Sequence, residues 1–493
     1  MNKLYTLRQK IDNYIQSSTE EISVFLISTL FLTAVFFVPN LKLLFLAALM
    51  LCVVAYRIFG SFQKALLYSY IVLLPFQDGK GLNFLVVSSE FVKQNVPVIL
   101  TVLFTLSNFF AVCLVYIHFR DKIRKRGHTL DRSYRLDTSD YLLGGFTLIT
   151  LLSGISSGIP LMSLLFSLKQ WGYIFIFVYI RTKKLSGWIY SILLPVLSSL
   201  TIFEGLWSIL QLINKGPLGK SVEVLPDLTL AGGLLHKASE NTSFIRMTGT
   251  FSHPNYLGFF MAIVVPLLIV HSVSRYATSF GKITTAVGAL FGLTALVASG
   301  SRTSWLFFAI LTIATIRSSI VISSLHILPF VKKLYTSYFV VCICLVPIVI
   351  VPRLQQLAVT FGWNGGAQFR LDLLQKSFEI ARDLPVGIGF GMFPQALMMQ
   401  FGRFTSFPTQ PHNLFAELLV SSGYPALILF VLFITSIYVK SLQTPKNTDV
   451  HELLRRDTVR KMLIAYLAIS MFYPILLEQQ IMGWFWILLC IMV

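Results

Sequence analysis

Long apolar runs separated by short polar breaks occupy nearly all of this chain from residue 22 onward, at about 22–38, 41–57, 63–77, 97–119, 141–158, 161–180, 188–213, 255–274, 283–299, 303–316, 334–351, 413–439, 462–477 and 480–493. Most are long enough to cross roughly 30 Å of hydrocarbon as a helix. Lipid offers no hydrogen-bond partners, so each run must satisfy its backbone internally. Nothing shows the short alternating strands of a lipid-exposed barrel. The pattern predicts an all-α, polytopic membrane bundle of about 12–14 transmembrane helices.

Composition strengthens this reading. Of 493 residues, 55% are hydrophobic and only 12% charged, too few to cover a water-soluble surface. Residues 1–21 are polar and basic, and the first apolar run lacks a small-residue cleavage site, so it is expected to remain as an uncleaved span. The five cysteines all fall inside apolar runs and read as packing or lipid-facing residues. A net charge of +19 raises the question of nucleic acid, but in a membrane chain it reflects loop asymmetry and anionic headgroups, and no nucleic-acid partner is expected.

The densest basic loop, 120-RDKIRKRGHTLDRSYR-135, should be cytoplasmic. Counting spans from it puts the N-terminus inside. Outside fall the loop from Asn214 to Pro254, the turn from Ser299 to Arg302, and a large external loop, 352–411. Within the last, 366-GAQFRLDLLQKSFEIARDLP-385 carries Phe369, Leu373, Leu374, Phe378 and Ile380 near helical spacing, which predicts an amphipathic helix at the membrane surface. The glycines of 387-GIGFG-391 end it and allow close backbone approach. Three parts follow: N-terminal spans over 1–240, a core over 241–440 that includes the external loop, and C-terminal spans over 441–493.

Three stretches could carry chemistry. Arg302, between two apolar runs, either snorkels to headgroups or faces an anion between helices; the small polar Ser299, Ser301 and Thr303 leave room for the second, and a guanidinium suits bidentate phosphate binding. The stretch 246-RMTGTFSHPNYLGFF-260 sets Arg246 before a helix start, with Pro254 in the first turn and an Asn or Ser as cap; Asn255 reads as structural support. His412 stands at the mouth of the next span, followed by Asn413. There it is a cap or interfacial residue, or a base for an acceptor hydroxyl. Glu417 is a candidate orienter, although a five-residue spacing does not set it squarely beside His412. Glu204 and Glu478 are further intramembrane candidates, equally open to structural hydrogen bonding. No nucleotide-phosphate loop, paired-cysteine site, His-Glu-x-x-His pattern or nucleophile elbow occurs, which disfavours ATP-driven work and zinc chemistry.

Together, 246-RMTGTFSHPNYLGFF-260, 299-SGSRTSW-305, 370-RLDLLQKSFEIARDLPVGIGFGMF-393 and 412-HNLFAELLVSSGYPAL-427 resemble the O-antigen ligase and polymerase superfamily of membrane glycosyltransferases, over roughly residues 240–430. The resemblance implies an undecaprenyl-diphosphate-linked glycan as donor, a glycolipid or glycan acceptor, and transfer on the periplasmic face of the bacterial cytoplasmic membrane without cofactor or metal. It implies that Arg246 and Arg302 bind the diphosphate, that Arg370 assists, and that His412 is the base. A ligase reading comes first. A polymerase joining repeat units and a protein O-oligosaccharyltransferase share the motifs. A transporter of the same lipids would be favoured by broken helices or internal repeats, neither of which the sequence displays.

Overall fold

A computed structural model describes residues 2–38, 41–76, 82–83, 103–104, 106–124, 136–219, 223, 246–274, 277–316, 366–401, 411–443, 450–473 and 479–492. Fifteen helices appear among them: α1 (Asn2–Phe37), α2 (Leu41–Phe59), α3 (Phe62–Leu73), α4 (Leu106–Arg124), α5 (Thr138–Ile155), α6 (Pro160–Thr182), α7 (Ser186–Asn214), α8 (Pro254–Val273), α9 (Ser279–Ser299), α10 (Arg302–Ile316), α11 (Gly366–Asp383), α12 (Phe393–Phe401), α13 (Leu414–Leu442), α14 (Val450–Ser470) and α15 (Gln479–Met492). Leu82–Asn83 and Leu103–Phe104 form one short antiparallel pairing. Seven of the helices are long and apolar enough to span a bilayer and two more are apolar but shorter, so the all-α polytopic fold is as expected. The run at 334–351, the start of the run at 97–119, Glu478, and residues 352–365 and 402–410 of the external loop lie outside the described residues.

The bundle centres on α7, α8 and α9, which share one hydrophobic core with α1, α13 and α15. With no water to expel between helices in lipid, close approach must come from small residues. Gly205 supplies it: a Cβ there would lie 2.5 Å from the Phe291 carbonyl of α9. Several helix starts are capped by side chains that satisfy their free N–H groups. Asp137 and Asp140 form a reciprocal capping box on α5, and Thr278 accepts from the Gly281 N–H at the start of α9.

At one end of the bundle Asp137 and Asp140 also take the Arg181 guanidinium, at 2.9 and 2.7 Å, and Lys440 pairs with Asp137. These contacts tie α5, α6 and α13 together. Burial alone would raise the Asp137 carboxyl, but hydrogen bonds from Lys440 and Ser139 and the charge of Arg181 outweigh it and hold the group well below the usual carboxylate range. A depressed carboxylate stabilises the fold above its unfolded pKa, and the contribution is lost as pH falls through the folded value. Arg181→Met is expected to cost about 2 kcal/mol, less than a fully buried pair because Asp137 is partly solvated. Thermal unfolding in detergent should show a lower midpoint for the variant at neutral pH and a smaller difference in acid.

Three departures from the sequence pattern concern the other end. The buried stripe of α11 runs through Leu373, Ser377, Ile380 and Ala381, while Phe378 is half exposed: the face that packs on α13 is rotated from the one the large apolar residues suggest. A short helix, α12, follows the glycine turn, and with α11 it forms a second small core over Met162 of α6 and Val420 of α13. The third departure is that α13 is broken. Gly423 lies at φ 76° and ψ 177°, a region open only to glycine. The 385–391 turn fills the break, with the N–H groups of Ile388 and Gly389 bonding the carbonyls of Val420 and Ser421 at 2.9 and 2.8 Å. The close approach expected of these glycines is therefore to protein backbone, and a Cβ on Gly387 would lie 2.6 Å from the Gly423 nitrogen. A broken helix is one mark of transporters, but here protein occupies the break and satisfies its carbonyls.

Candidate functional site

Arg246 is half-buried in the loop that leads into α8. Its Nε donates to the Ser299 carbonyl at 2.9 Å and its Nη2 to the Asn255 side-chain oxygen. The next residue, Met247, donates its N–H to the Ala298 carbonyl at 3.0 Å, so this loop lies along the end of α9. His253 caps α8, not an Asn or Ser. Its Nδ1 accepts from the Asn255 N–H at 3.0 Å, with Pro254 as the first helical residue. The ring nitrogen serves as an Asp or Ser oxygen would, and Asn255 is left to hold Arg246.

The turn between α9 and α10 is built from small residues. Gly300 ends α9 in the left-handed region, and the Ser301 hydroxyl accepts from the Ser304 N–H at 3.4 Å to start α10. Gly258 of α8 leaves room for the turn, since a Cβ there would come within 2.7–2.9 Å of Ser299, Ser301 and Ser304. Arg302, the first residue of α10, stands exposed at the rim, one turn away in sequence from the carbonyl that holds Arg246.

His412 precedes α13 and has φ 49°. Histidine is one of the few non-glycine residues enriched in this region, where such strain points to a functional constraint. Asn413 is the cap, its Oδ1 accepting from the N–H groups of Phe415 and Ala416 at 2.9 and 3.1 Å, so His412 is not needed for that task. The His412 Nδ1 is buried without a hydrogen-bond partner among the described residues. Glu417, buried one turn into α13, does not orient the ring through that nitrogen. Burial, and then the charge of Arg370 on α11, push the imidazole down to about 4. It is neutral at physiological pH.

A feature the motifs do not contain links these parts. The turn after α14 donates nothing charged, yet the Met471 carbonyl accepts from Asn413 Nδ2 at 3.2 Å and the Tyr473 hydroxyl meets the Ser301 hydroxyl at 2.9 Å. Phe472 packs against Phe307 of α10, and Tyr473 against Phe259 of α8. The arginine turn and the histidine mouth are thus fastened to the same three residues. Only the polar hydroxyl of Tyr473 at the end of an apolar run hints at this in the sequence.

Arg246 is bonded to the turn from which Arg302 starts α10, and the charge of Arg370 acts on His412. Such a surface can hold a polyanion beside an unprotonated imidazole. Residues 286–431 match the family model described as O-antigen ligase. The match takes in Arg302, Arg370, His412, Asn413 and Glu417, and leaves Arg246 and Asn255 before it and Met471–Tyr473 after it. It bears out the resemblance over that stretch: residues 286–431 of this multi-pass membrane chain are similar to the O-antigen ligase family. No curated protein matches the chain.

Proposed function

We propose that the chain is a ligase-type glycosyltransferase that passes a glycan from an undecaprenyl-diphosphate donor to a hydroxyl of a glycolipid, on the outer face of the bacterial cytoplasmic membrane and without a metal ion. The observation that carries this reading is the run of contacts from Arg246 through Ser299 and Ser301 to Tyr473, and from Met471 to Asn413 beside His412. In the reaction the acceptor oxygen bonds the anomeric carbon, and the bond from that carbon to the diphosphate oxygen breaks. The departing electron pair stays on the lipid diphosphate, and the acceptor proton goes to His412. Guanidinium groups fixed before the reaction stabilise the charge that develops on the leaving group.

An imidazole with a pKa of about 4 is unprotonated but weakly basic. A diphosphate bound beside Arg370 would offset the positive charge that opposes protonation, so donor binding raises the basicity of His412 just when it is needed. Arg370→Gln removes one of the two causes of the depression. The acid limb of kcat/KM should move up from near pH 4 toward the ordinary histidine value of 6.5. Wild-type stability falls as pH drops between these values, because the unfolded chain takes the proton first, and the variant narrows that window. An acid limb that stays in place would break the link between the two residues.

The reaction itself is tested with the purified protein in nanodiscs, a labelled undecaprenyl-diphosphate oligosaccharide, and competing acceptors. Label on the glycolipid supports the ligase reading. Lengthening of the lipid-linked chain makes the enzyme a polymerase, label on a peptide makes the acceptor protein, and donor that crosses a bilayer without transfer makes the chain a transporter.

A further inference from the structure

We propose that Glu204 is a positioning residue for Arg246, an inference that rests on the diphosphate-binding reading of that arginine. Glu204 is fully buried on α7, beside the Gly205 seam. Its two carboxylate oxygens divide between one residue: Oε2 accepts the Thr250 N–H at 2.9 Å and Oε1 the Thr250 hydroxyl. Two turns on, the same helix face presents Gln211, which accepts the Gly249 N–H and donates to the Gly249 carbonyl, both at 3.0 Å. Gln211 is in turn held by Glu223, which also takes the Trp207 indole N–H at 2.9 Å. Gly249 has φ 60°, and a Cβ there would strike the Glu204 carboxylate.

The loop after Arg246 is therefore fixed from α7 by two side chains seven residues apart and from α9 by the Ala298 carbonyl. This is more than a connection needs. A buried carboxylate is costly unless fully bonded, and here its bonds go to the loop that carries a site arginine. Arg246 has a long side chain whose direction depends on that backbone. The spacing of Glu204, Trp207, Ser208 and Gln211 on one helix face was readable in the sequence, but their partner was not.

The test uses the full chain in nanodiscs and two independent measurements. In Glu204→Ala, hydrogen exchange at the Thr250 amide should rise at least about tenfold while the amides of α8 keep their protection. The KM for the undecaprenyl-diphosphate donor should rise about tenfold with kcat within about threefold of wild type. Glu204→Gln should restore both, since its amide oxygen can accept the N–H and its NH2 can donate to the threonine hydroxyl. In an Arg246→Ala background Glu204→Ala should cause no further loss. Thr250→Val, which removes only the hydroxyl bond, gives a smaller change in the same direction and serves if the alanine variant does not fold. An unchanged Thr250 amide, or an equal loss of donor affinity with and without Arg246, overturns the proposal. If Arg246→Ala itself leaves transfer intact, the diphosphate role of Arg246 falls, and with it this positioning role, whereas the exchange result still reports whether Glu204 holds the loop.

Discussion

Replacing His412 by asparagine should lower kcat for glycan transfer by about 100- to 10,000-fold, the range that a general base contributes. Asparagine is the choice because it tolerates the left-handed backbone at φ 49° and keeps a polar side chain at the mouth of α13, so that loss of the base is separated from loss of the fold. Alanine at the same position would confound the two. Donor KM should change little, since the arginines proposed to grip the diphosphate are untouched, and the separate cap at Asn413 should hold the helix start. Single-turnover transfer with saturating donor is the measurement. Activity within about threefold of wild type would remove His412 from the chemistry, whatever became of the rest of the site.

Gly423→Ala should be the most damaging small substitution in the described residues, at about 3–5 kcal/mol. Two terms add. The backbone conformation is one that only glycine adopts without strain, worth about 1–3 kcal/mol. The new methyl would also lie 2.1 Å from the Pro385 carbonyl, a clash with backbone that no rotamer relieves. The damage should spread to α11, because the 385–391 turn that fills the break is continuous with it. Loss of protection at Ile388 and Gly389 in hydrogen exchange, together with lower yield of folded protein, is the expected result. A variant with wild-type unfolding temperature would show that the break can close, as a continuous helix through residues 421–425.

The parts of this fold that lipid dictates are legible in the apolar runs, since a span has no alternative to a helix. Candidate site residues were legible where a residue type is out of place in its surroundings. Arg302 and His412 stand out because charge and imidazole are rare at such positions, and Arg370 because it punctuates an amphipathic run. What escaped depends on contacts between distant segments. The hydroxyl of Tyr473 gains meaning only from Ser301, 172 residues away, and Phe378 lost its expected place because the stripe on α11 is set by the shape of α13 rather than by side-chain size. The break at Gly423 was hidden by Ser421 and Ser422, small polar residues that fit a helix and a turn equally well. The cap at His253 was misassigned because imidazole nitrogen rarely substitutes for an oxygen there.

The fastening of Ser301 and Asn413 to Met471 and Tyr473 limits how this chain can be recombined. A chimera that transplants only the stretch from 286 to 431 into a relative would arrive with both of its mouths cut loose from the segment that braces them, and with Arg246 left behind in the donor. Grafts should be made from Arg246 through Tyr473 as a unit, so that the brace travels with what it braces.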